Sequence, residues 1–294
     1  MRLRIAVVAA VGIGLIGIYA WPLIAPEEPY GIVSVVSGTI SSNDGILLIV
    51  LGFAAGLISY FLAWPYGKQI GILAAPAGLG FLAARSGNMG TLIQLNPAII
   101  QREELYSAIC WEPLLWLGVV FAGFLGTFVA SEIIYPVRPE IIDKFIKRDF
   151  GYFVNLLVVI IGSVVITQFF IGILARDYTA INPQGGSAVG QSALGQIIFA
   201  VFVSFGLAGF LAKNVLNLDY TGVIISSFMV NPVSIMIYAR HNVVSYFAGH
   251  WPAVFFPNAT LTILPIQIVS FGAIGAVAGY WIAIYFDYWR KNEA

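Results

Sequence analysis

The chain has 294 residues, no net charge, 60% hydrophobic residues and only 10% charged ones, where a soluble domain carries about 25% charged residues. This excludes an ordinary soluble fold and, through the same apolar content, disorder. With 14 Lys+Arg against 14 Asp+Glu there is no basic excess for nucleic acid, and the single cysteine, Cys110, excludes an internal disulfide framework.

The composition predicts an all-α polytopic membrane protein. A bilayer core of about 30 Å needs roughly 20 apolar residues per helix. Eight segments qualify: 5–24, 45–64, 69–84, 114–135, 152–175, 194–212, 221–239 and 263–286. The first follows Arg2 and Arg4, which is also the form of a secretory signal. Its run is long for a signal core and Trp21-Pro22 is a poor processing site, so it reads as an uncleaved helix. A loop without Lys or Arg, 25–44, leads to the second span. The third is the shortest and holds Pro76 with Gly71, Gly78 and Gly80. A broken helix or a re-entrant hairpin is the alternative there.

Residues 97–111 predict a helix on the outer face, capped by Asn96 with Pro97 in its first position. Ile99, Leu105, Tyr106, Ile109 and Cys110 fall on its apolar side, and Gln101, Glu103, Glu104 and Ser107 face water. The fourth span follows. Residues 138–151 then form a linker in which Ile141, Ile142, Phe145 and Ile146 line one face and Asp143, Lys144, Lys147 and Arg148 the other. This pattern suits a cytoplasmic helix on anionic lipid, or an ordinary solvated linker. In the last outer loop, His250–Pro257 is apolar, is broken by two prolines, and is expected to dip into the interface.

Charge placement orients the chain. With the N-terminus inside, the inner segments hold ten Lys and Arg, and the outer ones hold four: Arg85, Arg102, Arg176 and Arg240. This positive-inside pattern predicts that both termini are cytoplasmic, in a cell or inner membrane.

The segment order repeats at an offset near 155, which divides the chain into a first half, 1–137, and a second, 152–294. At that offset Gly67 coincides with Gly222, Ile70 with Ile225, Arg85 with Arg240, Pro97-Ala98 with Pro252-Ala253, and Glu132 with Asp287. Four spans per half give a parallel repeat about an axis along the membrane normal.

No span centre carries Asp, Glu, Lys, Arg or His. Intramembrane charges mark ion and proton paths, so a proton antiporter, a Schiff-base photoreceptor and a rotary proton channel are not expected. The interruptions are more informative. Pro76 in the third span aligns with Asn231, next to Pro232, in the seventh. Proline withholds a backbone donor, and paired interruptions point to a transporter site. The candidate substrate-binding residues are therefore Pro76, Asn231 and Pro232, with Arg85 and Arg240 as an anion-attracting pair at the outer mouth. Small-residue stripes (Gly52, Ala55, Gly56; Gly118, Ala122, Gly123, Gly126; Gly272, Gly275, Gly279) read as packing surfaces. His241 and His250 lack the spacing of a metal site with Glu103, Glu104 or Glu112. Neither a catalytic motif nor a cofactor motif is present. The sequence favours a permease for a small polar or anionic solute. A non-catalytic scaffold, bound to membrane partners or to its own copies, is the alternative, and an outer-face lipid enzyme is the third reading.

Overall fold

The computed structural model describes residues 2–27, 31–134, 150–181 and 187–293. The expected linker helix, 139–148, lies outside the described residues. Among the described residues eight helices are long and apolar enough to cross a membrane, and a helix satisfies its backbone polar groups within the segment itself, as hydrocarbon requires.

The first span is α1 (Arg2–Gly12), a π-helical stretch Ile13–Tyr19, and α2 (Trp21–Ile24). The second is α3 (Ser42–Leu62), started by a capping box between Ser41 and Asp44. The third, Gly67–Arg85, is a broken helix: α4 (Gly67–Ile70), a 3₁₀ turn Gly71–Leu73, and α5 (Ala74–Arg85). It is the least apolar of the eight and also the most shielded, with 72% of its most apolar stretch buried against 33% in the first span. A helix wrapped by other helices needs less lipid-compatible surface, which accounts for its weak signal in the sequence.

After the third span, α6 (Met89–Gln94) and α7 (Ile99–Ile109) precede the fourth, α8 (Glu112–Ile134). Here the predicted cap shifts. The Asn96 amide donates back to the Leu92 carbonyl and closes α6. Extended Ala98 starts α7, and Gln101 accepts the Ala98 N–H. Restriction of the residue before Pro97 keeps Asn96 out of the new helix. The second half holds α9 (Phe150–Leu174), α10 (Leu194–Leu216), α11 (Thr221–Tyr238), α12 (His241–His250) and α13 (Pro265–Glu293).

One element was not expected. β1 (Thr179–Ile181), β2 (Ser187–Gly190) and β3 (Phe255–Phe256) form a small antiparallel sheet, with Val189 paired to both Thr179 and Phe256. Phe255–Phe256 therefore enters a sheet within the stretch expected to dip into the interface. Gln191 ties this end together: its carbonyl accepts the Gly90 N–H at 2.8 Å and its amide donates to the Thr262 carbonyl at 2.9 Å.

Glycines set the closest helix approaches. Gly56 lies on the Gly123 carbonyl and Gly126 on that of Phe53, joining α3 to α8. Gly279 lies on the Gly206 carbonyl, Gly275 on that of Phe202 and Gly209 on that of Ala276, joining α13 to α10. Gly12 lies on the Ala74 carbonyl, where the first span meets α5. A side chain at these positions would overlap backbone. Gly118, read from the sequence as part of such a stripe, meets only Ile49 at ordinary contact distance.

Candidate functional site

Both interrupted helices flank the same central pair: α5 and α11 each pack on α8 and on α13. Beside this pair, at the end opposite the sheet, lies a cavity of about 630 Å³. Lys68, Gln69 and Ile72 line it from the start of the third span, Tyr220 from the residue before α11, and a run of aromatic residues from α13. Tyr220 holds the edge of this space. Its ring meets Tyr280 edge-on at 5.3 Å and Phe124 at 6.0 Å, so one side chain ties α8 and α13 to the start of α11.

Among the described residues Lys68 is the one charged member of the lining. Lys213 lies with its Nζ 5.8 Å from the Tyr280 ring. A cation with tyrosine hydroxyls and aromatic faces can receive an anionic or polar solute through charge-assisted hydrogen bonds and apolar contact. The cavity reaches Ile72, inside the 3₁₀ turn.

Pro76 sits buried in the first turn of α5, where it gives no N–H to the carbonyl four residues back, that of Ile72. The interruption and the cavity thus meet at one residue. Pro232 lies inside α11. Asn231 is 4% exposed and lines a cavity of about 10 Å³ with Tyr106 and Thr260. Beside it, the Gln168 amide donates to the Val230 carbonyl at 2.8 Å and to the Ser234 hydroxyl at 2.7 Å, and its own carbonyl oxygen is buried without a partner among the described residues.

The two arginines are on the surface. The Arg85 guanidinium lies 3.9 Å from the centre of the Trp21 ring. Arg240 precedes α12, with its Nε donating to the Met236 carbonyl at 3.4 Å. Among the described residues no hydrogen bond or ion pair joins Arg85, Arg240, Pro76 and Asn231 to one another.

Sequence reasoning missed Gln168, because it searched the spans for charges and interruptions and an uncharged amide is neither. It also counted Arg102 with the loops, whereas the structure buries it. The acids near the histidines are separately engaged. Glu103 meets His241 Nδ1 at 2.5 Å. Glu112 accepts from the Ser34 hydroxyl at 2.5 Å and from Trp116 Nε1 at 3.0 Å. His250 stacks on Tyr246. Among the described residues no cluster of three metal-ligating side chains occurs. The chain matches no protein-family model, no curated protein and no solved structure.

Proposed function

We propose that the chain is a permease, moving a small polar or anionic solute along a path between two similar halves with both termini cytoplasmic. The observation that carries this reading is the cavity of about 630 Å³ that runs from Lys68 to the break at Gly71–Leu73. Solute entering from the cytoplasm meets Lys68 and the tyrosines first and then the backbone freed by Pro76. Farther on, Asn231 and Pro232 line the way to the outer face, where Arg85 and Arg240 stand.

Two features support duplicated halves. Helix partners recur: the first span packs on the third as the fifth packs on the seventh, and the second on the fourth as the sixth on the eighth. The third packs on the eighth as the seventh packs on the fourth, while the fourth and eighth meet each other. A two-fold axis between the fourth and eighth helices would give this pattern. The glycine contacts recur as well: Gly56 lies on the Gly123 carbonyl as Gly209 lies on that of Ala276, and Gly126 on the Phe53 carbonyl as Gly275 on that of Phe202. The wide cavity beside Lys68 and the cavity of about 10 Å³ beside Asn231 share no lining residue, and packed protein between them fits one state of an alternating-access cycle.

The test is reconstitution. Liposomes holding the purified chain are challenged with a panel of small neutral and monovalent anionic solutes, and volume recovery is followed by light scattering. At least one solute should enter faster than into empty liposomes, and Asn231→Leu should abolish the difference. Rates equal to empty liposomes across the panel, or full flux in the variant, would count against the path.

A further inference from the structure

One buried cation at the sheet end has no counter-ion among the described residues. Arg102 is 9% exposed because it shares a buried stripe of α7 with Leu105, Tyr106 and Ile109, at helical spacing. Its Nε donates to the Asn96 carbonyl at 3.3 Å. The neighbouring acid, Glu103, is engaged with His241. Among the described residues no carboxylate lies within ion-pair distance of Arg102. A cation with little water contact, and only a backbone carbonyl as partner, is costly, so a group that supplies the missing negative charge is favoured here.

The space for it is present. Arg102 and Tyr106 line a cavity of about 20 Å³ whose other walls are apolar, among them Val244 and Phe256. An occupant of water size needs about 10–15 Å³ of such volume. Tyr106 also borders the cavity of about 10 Å³ beside Asn231. Tyr106 and Asn231, 7% and 4% exposed, make no side-chain hydrogen bond among the described residues. The guanidinium and the phenol are donors in a space with no acidic side chain on its walls among the described residues.

We propose that the Arg102 pocket binds one small monovalent anion of halide size, held by the guanidinium with the Tyr106 hydroxyl as second donor. The cavity admits one small occupant, and a single cation calls for a single negative charge. Sulfate is too large and too highly charged for it. The site stands apart from the transport reading: it holds its anion whether or not the chain moves solute.

Chloride binding to the full chain, purified in detergent with gluconate as the background anion, is read by ³⁵Cl line broadening. The wild-type chain should give saturable broadening that bromide displaces and sulfate at equal ionic strength does not. Arg102→Gln should weaken binding by at least about 10-fold, and Tyr106→Phe by a smaller factor, as expected for loss of a charged and of a neutral donor. Absence of saturable broadening in the folded wild type overturns the proposal. So does displacement by sulfate as effective as by bromide, or unchanged affinity in Arg102→Gln. Should Arg102→Gln fail to fold, the wild-type titration and Tyr106→Phe decide the matter, with unchanged affinity in Tyr106→Phe counting against the second donor and hence the site.

Discussion

Gly279→Ala should remove most of the folded protein, whereas the same change at Gly162 should leave it intact. A methyl group at Gly279 would overlap the carbonyl of Gly206, and both backbones belong to long membrane helices that cannot move apart locally. Relief requires separating α13 from α10, which also breaks the contacts of Gly275 with Phe202 and of Gly209 with Ala276. Overpacking costs about 1–3 kcal/mol where side chains can yield and more where they cannot. Backbone against backbone is the second case, and the loss is large beside a total stability of about 5–15 kcal/mol. Gly162 has nothing within 4 Å of a Cβ, so alanine there gains about 1 kcal/mol of helix propensity at no steric cost. Gly56→Ala, against the Gly123 carbonyl, should behave like Gly279→Ala. Yield of monodisperse protein and thermal melting in detergent check the comparison. Equal behaviour of Gly162→Ala and Gly279→Ala would show that the glycine crossings do not hold the bundle.

The second large effect is on transport. Lys68 is the one charged residue lining the wide cavity among the described residues. With an anionic solute, Lys68→Glu should reduce flux by about 10-fold or more at low salt, because reversing the charge at a mouth turns attraction into repulsion. The deficit should shrink as ionic strength rises and screening shortens to about 10 Å at 0.1 M. Lys68→Gln should fall between the two. Melting should be unchanged, since Lys68 is exposed. A deficit of the same size at every salt concentration would point to altered structure instead of altered charge.

The membrane spans were legible because the bilayer imposes their length. Eight apolar runs of about 20 residues have one physical explanation, and the described residues hold eight such helices. The third was faint for the reason that makes it central: a helix enclosed by α1, α8 and α13 can afford glycines and a proline. Its break was anticipated as one of the alternatives, but its location was not. The backbone changes at Gly71–Leu73, ahead of Pro76.

The rest was hidden by distance along the chain. The wide cavity joins Gln69, Tyr220 and Tyr280, and tyrosines at helix ends look in sequence like ordinary interfacial anchors. The small sheet has strands of two to four residues, too short to show alternation. Arg102 was recoverable: Arg102, Leu105, Tyr106 and Ile109 recur at i, i+3, i+4 and i+7, and extending the apolar stripe to its charged member would have placed the guanidinium inside. Counting it as a loop charge concealed that.

The measurement that tests the path most directly is cysteine accessibility from each side of the membrane. Cys110→Ser leaves a thiol-free background, since Cys110 is the only cysteine. Single cysteines then replace Tyr280, in the wide cavity, and Asn231, beyond the break, with Lys291 and Glu104 as controls for the two faces. A membrane-impermeant thiol reagent is applied to intact cells and to inverted vesicles. The permease reading predicts that Tyr280→Cys reacts only from the cytoplasmic side and that Asn231→Cys reacts from both sides as the path opens alternately. Protection of Asn231→Cys from both sides, with the controls reporting their own faces, would contradict it and leave a vestibule that leads nowhere.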